Sequence, residues 1–169
     1  LQERRQIRAV LEQVVQVHIG GGNADKALAA LQKEAKSAAS SGDARRQLAA
    51  HQTLATLQAG MGNQDESLAT ANEAVKFAGE TEDKKVEAWA LQLVAEVHLG
   101  AERFEEALAE TEKARALMKE LDDVKEVAGT WGLTCNIQMQ MGNNQGALSS
   151  KGEQRSAFKA AGWRDEEAG

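Results

Sequence analysis

A run of leucines spaced 40 residues apart constrains this chain more than any other feature. Leu28, Leu68, Leu108 and Leu148 each follow a small residue: Ala27, Ser67, Ala107 and Ala147. Six residues before each leucine stand Gly22, Gly62, Glu102 and Gly142, followed by Asn23, Asn63, Arg103 and Asn143. Gly20, Gly60 and Gly100 keep the spacing, as do Asp43, Asp83 and Asp123, while Gln140 breaks the glycine column in the fourth copy. A period of this length marks supersecondary units that bury their apolar faces only by stacking on one another. Four such units fit the chain, over residues 3–40, 43–80, 83–120 and 123–161, with a tail at 162–169 in a single repeat domain.

Each column has a local physical reason. The aspartates stand where a helix begins, so their carboxylates can accept the first unpaired backbone N–H groups and favour the positive end of the helix dipole. Gly20, Gly60 and Gly100 stand where that helix ends, where glycine enters the left-handed cap conformation without strain. Asn23, Asn63 and Asn143 are placed to cap a second helix, and Glu66 adds a capping-box partner three residues after Asn63.

Between the caps, apolar residues recur at helical spacing. Val10, Leu11, Val14 and Val17 form the inward stripe of the first unit, followed by Leu54 and Leu57 and then Leu91, Val94 and Val97. The second helices carry Leu28, Leu31, Ala35 and Ala38, then Leu68, Ala71, Ala74 and Ala78. The expected helices are 3–19, 24–40, 44–59, 64–80, 84–99, 104–120, 124–140 and 144–160. Composition agrees with an all-α chain. It has no proline or tyrosine and only 4% aromatic residues, so close helix approach rests on alanine and other small side chains.

These columns resemble the tetratricopeptide repeat family in its longer form of about 40 residues, the form carried by kinesin light chains and spindle-orientation adaptors. The resemblance runs from Ile7 to Trp163 and is clearest from Gly42 to Leu121. It implies a right-handed superhelical α-solenoid of four helix-turn-helix repeats. Leu11, Leu91 and Trp131 match the apolar residue that opens the family's inner helix, while His51 does not. Ala55, Ala95 and Cys135 match its small residue one turn later, and Val15 is larger. Where the family often has tyrosine, this chain has His18, Gln58, His98 and Gln138, and the turn aromatic survives only as Phe104. The last unit matches least, because Ser149, Ser150 and Gly152 weaken its second helix.

Several alternatives are excluded or disfavoured. The net charge of −6 is dispersed along the chain, which repels phosphate backbones and argues against nucleic acid as a partner. The apolar stretch from Ala88 to Val97 is interrupted by Gln92 and Glu96 far short of a bilayer span, so no direct membrane insertion is expected. The lone Cys135 makes no internal disulfide and fits a small apolar position, consistent with a soluble intracellular protein of the cytoplasm, mitochondrial matrix or chloroplast stroma. The chain opens on Leu1 without a signal or transit pattern, which reads as a processed product or a piece of something longer.

Gly20-Gly21-Gly22 and Gly60-Met61-Gly62 lie between helices and not after a strand, and no Gly-Lys-Ser/Thr follows, so they do not form a nucleotide loop. His18 and His98 are two repeats apart and cannot share a metal ion; His51 reads as packing or hydrogen bonding. Acidic pairs such as Glu105-Glu106 and Asp122-Asp123 read as solvated faces and caps. No catalytic set, metal or cofactor is expected.

The remaining candidate surface is implied by the family resemblance: a concave face lined by successive inner helices. There it places the candidate partner-binding residues Gln16, Gln52, Thr56, Trp89, Gln92, Glu96 and Asn136, with Gln13, Thr53, Gly132 and Gln140 beside them. Amide side chains can bond both donors and acceptors of an extended peptide, and Trp89 is the expected apolar anchor. Trp131 is expected in the core. The expected function is a scaffold holding a partner peptide or protein segment on this face. The competing expectation is a structural or accessory subunit bracing a larger complex, membrane-associated or organellar, through its convex side. The abrupt start, the weak last helix and the terminal aromatic Trp163 favour a partner or further repeats beyond each end.

Overall fold

The computed structural model describes residues 2–160 and 162. The fold is all-α, and among the described residues there are eight helices and no strand: α1 (Gln2–Gly20), α2 (Ala24–Ser41), α3 (Ala44–Gly60), α4 (Gln64–Gly79), α5 (Lys84–Gly100), α6 (Phe104–Glu120), α7 (Val124–Gln140) and α8 (Asn144–Ala160). Each lies within a residue or two of its expected bounds. Neighbouring helices pack together as helical repeats, α1 on α2, α2 on α3 and α3 on α4, and again α6 on α7 and α7 on α8. Trp163, read as a terminal apolar residue, lies outside the described residues.

The regularity comes from the turns. Gly22, Gly42, Gly62, Glu102, Asp122, Gly142 and Gly162 all have positive φ, so the left-handed position recurs on a 20-residue rhythm that skips Glu82. Around Gly22, its N–H bonds to the Ile19 carbonyl at 2.8 Å and the next N–H, of Asn23, reaches back to His18 at 2.9 Å. The same pair of bonds closes the turns at Gly42, Gly62, Glu102, Asp122 and Gly142. This is the Schellman arrangement, which satisfies the last carbonyls of a helix. It corrects the expectation for Gly20, Gly60 and Gly100, which are terminal residues of their helices. The left-handed residue stands two positions later, because the chain needs it only after the last helical turn.

The aspartate caps form as expected. Asp43 accepts from the Arg46 N–H at 3.0 Å, Asp83 from Lys85 at 3.0 Å and Asp123 from Glu126 at 3.1 Å. The asparagines divide. Asn143 accepts from Gly146 at 2.9 Å, whereas the side chains of Asn23 and Asn63 make no cap bond. Asn23 instead donates to the Gly21 carbonyl at 2.7 Å.

Two compact units compose the chain, residues 1–86 and 87–169. In the first, α1, α2 and α3 share a core of Leu11, Val15, Ala27, Leu31, Ala35, Ala49, Ala50 and Leu54, and α4 packs on α3. The crossing of α3 and α4 is close because its residues are small. Ala55 and Ser67 are both fully buried, and the Ser67 hydroxyl donates to the Ala55 carbonyl at 2.8 Å. A bond of this kind is worth about 1 kcal/mol net. Gln58, standing where the resemblance led to tyrosine, accepts from the Thr70 hydroxyl at 2.8 Å and holds the same crossing.

In the second unit, Leu99, Ala107 and Ile137 bring α5, α6 and α7 together, flanked by Phe104, Leu108 and Leu133, and α8 packs on α7. The small residue before each repeat leucine is the buried member of the pair: Ala27, Ser67, Ala107 and Ala147 are buried, while Leu28, Leu68 and Leu108 are half-buried and Leu148 is exposed.

The first apolar stripe does not face inward as a whole. Leu11 and Val15 are buried, but Val10, Val14 and Val17 are exposed. Four successive apolar positions cover more than one helix face, and only the Leu11 side meets α2 and α3.

Candidate functional site

Helices α1 and α3 of the first unit bound a cleft of about 800 Å³. Along α1 its wall is Glu12, Gln13, Gln16 and Ile19, and along α3 it is Thr53, Thr56, Leu57 and Met61 just past the helix end. The geometry follows from helical periodicity. Gln13 and Gln16 lie three residues apart and so share a face, as do Thr53 and Thr56. Ile19 and Met61 are large apolar side chains that remain about 42% and 41% exposed, and they give one end of the cleft an apolar lip. Thr53 and Thr56 turn their hydroxyl protons to their own helix, donating to the Ala49 carbonyl at 2.9 Å and the Gln52 carbonyl at 2.8 Å. Their oxygens keep a lone pair to accept with.

The candidate residues therefore separate. Gln16 and Thr56 come together on this cleft. Gln52, one turn before Thr56, is 4% exposed and contributes its carbonyl rather than its amide to that bond. In the second unit Glu96 and Asn136 are exposed and Gln92 is half-buried. Asn136 is approached by its neighbour Gln140 at 3.4 Å. Trp89, the expected anchor, is only 3% exposed. An indole sealed from solvent offers no contact area to a ligand, so Trp89 is a core residue. The apolar residues that do present themselves, Ile19 and Met61, escape a reading of repeat columns because they sit at helix ends, where periodicity stops being informative.

Trp131, expected in the core, is half-buried. It carries the Arg115 guanidinium 3.5 Å from its ring centroid. Arg115 is itself buried and donates to Thr130 at 3.1 Å and to Thr134 and Glu112. Burial pushes its guanidinium below its ordinary range, against the opposing attraction of Glu112 and Glu153. Nothing in the sequence period announces this cluster, because Ala35 and Val75 occupy the Arg115 position in the earlier repeats.

His51 is a packing residue. Its Nδ1 lies 2.9 Å from the Gln47 carbonyl, so that nitrogen carries the proton, and its ring sits 5.2 Å from Phe77. Its Nε2 faces Glu73 at 3.9 Å across a smaller cleft of about 370 Å³ between α2 and α4. Cys135 is half-buried. Among the described residues, no three His, Cys, Asp or Glu side chains stand close enough to hold a metal ion, and no helix is long and apolar enough to cross a membrane.

Comparison with protein-family profiles and with curated protein sequences finds no significant match.

Proposed function

We propose that this chain is a tetratricopeptide-type scaffold that holds an extended segment of a partner protein in the cleft between α1 and α3. The observation that carries this reading is the composition of that cleft: Gln13 and Gln16 line it along α1 and the exposed Thr56 along α3, over a buried Thr53, with an apolar lip at Ile19 and Met61. Amides can pair with either polar group of a peptide backbone without selecting a side chain, while an apolar lip selects one hydrophobic residue. The anchor is thus Ile19 with Met61, in place of Trp89.

Selection of binders from a random peptide library against the chain tests this. The expected sequences carry one large apolar residue and lose binding at least about tenfold on Met61→Lys, since anchors dominate such interfaces. Gln16→Ala or Thr56→Ala should each cost only a few-fold. The reading fails if no library member binds, or if binders are indifferent to Met61 and respond instead to charge reversal on an outer helix, for example at Lys113. That second result would favour a bracing subunit gripped from its convex side.

A further inference from the structure

The smaller cleft of the first unit and the Arg115 cluster of the second occupy the same place in the repeat. Adding 80 to Gln32, Ala35, His51 and Glu73 gives Glu112, Arg115, Trp131 and Glu153. In the second unit the Arg115 guanidinium lies 3.5 Å from the Trp131 ring centroid, donates to Glu112 and is attracted by both Glu112 and Glu153. The first unit repeats this setting without its cation. His51 stands for the aromatic ring and Glu73 for the distal carboxylate. Ala35 ends at its methyl group, and beside it is a cleft of about 370 Å³ lined by Gln32, Lys36, Gln47, His51 and Glu73.

The groups that converge there are acceptors. Nδ1 of His51 gives its proton to the Gln47 carbonyl at 2.9 Å, so Nε2 of the neutral ring can only accept. It faces the Glu73 carboxylate, also an acceptor, at 3.9 Å. His51 is buried while Glu73 stands at the surface, so the pair runs from the floor of the cleft to its rim. A planar fork of N–H groups can donate to both and lie against a ring, which a point-like ammonium does less well.

We propose that this cleft binds a guanidinium group, supplied by an arginine side chain of a polypeptide or by a free guanidino compound, with His51 and Glu73 in the roles of Trp131 and Glu153. The opposing charge at the cleft is Lys36, which is exposed and can turn its ammonium to water. Where the second unit offers the Thr130 and Thr134 hydroxyls, the first has Ala50 and Leu54. A single guanidinium therefore binds weakly, on the order of millimolar. The site has its own lining residues, apart from those of the cleft between α1 and α3.

The test titrates the full chain with Nα-acetylarginine amide at about pH 8, where imidazoles are uncharged, and follows the ring protons of His51 against those of His18 and His98 by NMR. Saturable shifts at His51 are expected, with Nα-acetylcitrulline amide, which keeps the shape without the charge, about tenfold weaker. Glu73→Gln, an exposed change that should leave the circular dichroism of the parent, is expected to weaken arginine binding about two- to fivefold. Lys36→Gln should tighten it, and Met61→Lys should leave it unchanged. An arginine-centred library of blocked pentapeptides with members at least about tenfold tighter than the amide assigns the guanidinium to a polypeptide; a library no tighter than the amide assigns it to a free guanidino compound. The proposal is overturned by the absence of saturable shifts at His51, by equal binding of the citrulline probe, or by indifference to Glu73→Gln. Tighter binding with Glu73→Gln and weaker with Lys36→Gln also overturns it, in favour of an anion held by Lys36.

Discussion

The guanidinium of Arg115, on α6, lies 3.5 Å above the ring of Trp131, on α7. The residue expected as core packing is therefore one wall of a buried polar cluster, with Thr130 and Thr134 as its acceptors. Both hydroxyls also bond carbonyls of their own helix, Thr130 to Val127 at 2.7 Å and Thr134 to Thr130 at 3.0 Å. They are not orphaned when Arg115 is removed, and the main loss is volume. Arg115→Ala should destabilise by roughly 2–3 kcal/mol, and Arg115→Met by less than about 1.5 kcal/mol because the methionine refills the space. A double-mutant cycle with Trp131→Ala in urea unfolding should give a coupling of about 0.5–2 kcal/mol. Additive effects would show that the stacking contributes nothing beyond burial.

Glu102 has φ of 58° at a position where Gly22, Gly62 and Gly142 stand in the other repeats. A side chain in the left-handed region costs about 1 kcal/mol relative to glycine, partly offset by glycine's larger entropy in the unfolded chain. Glu102→Gly should raise stability by roughly 0.5 kcal/mol and move the thermal midpoint upward. Gly62→Ala should lower it, even though a methyl group at Gly62 meets nothing within 4 Å.

The caps predict a contrast between two conservative-looking changes. Asp43→Ala removes the bond to Arg46 N–H and should cost about 1 kcal/mol, whereas Asn63→Ala removes no cap bond and should cost only a few tenths. Equal costs in thermal unfolding would mean that Asn63 does act through its side chain.

Gly129 and Gly152 lie inside α7 and α8, exposed, with open space where a Cβ would stand. Alanine at either should stabilise by about 0.5–1 kcal/mol through helix propensity alone. Gly132 is tighter, its Cβ site 2.8 Å from Gln154 Nε2, but that atom ends a flexible side chain. Gly132→Ala should therefore gain less than Gly129→Ala in the same unfolding measurement.

The helices and their ends were legible from the sequence because they are local. Asp43 and Asp123 bond within three residues of themselves, and a left-handed glycine answers to the turn that contains it. The 40-residue period placed a small residue before each leucine, but only the packed helices made the small residue the buried one: Ala27, Ser67, Ala107 and Ala147 are buried, while Leu148 is exposed. Tertiary structure alone decided which face of α1 is covered, that Trp89 is sealed and that Trp131 shelters a cation. Periodicity tells which residues share a face, but exposure depends on whether another helix lies on that face. Val10 and Ala50 hold one position in the repeat; α2 packs beside Ala50, while Val10 is 59% exposed.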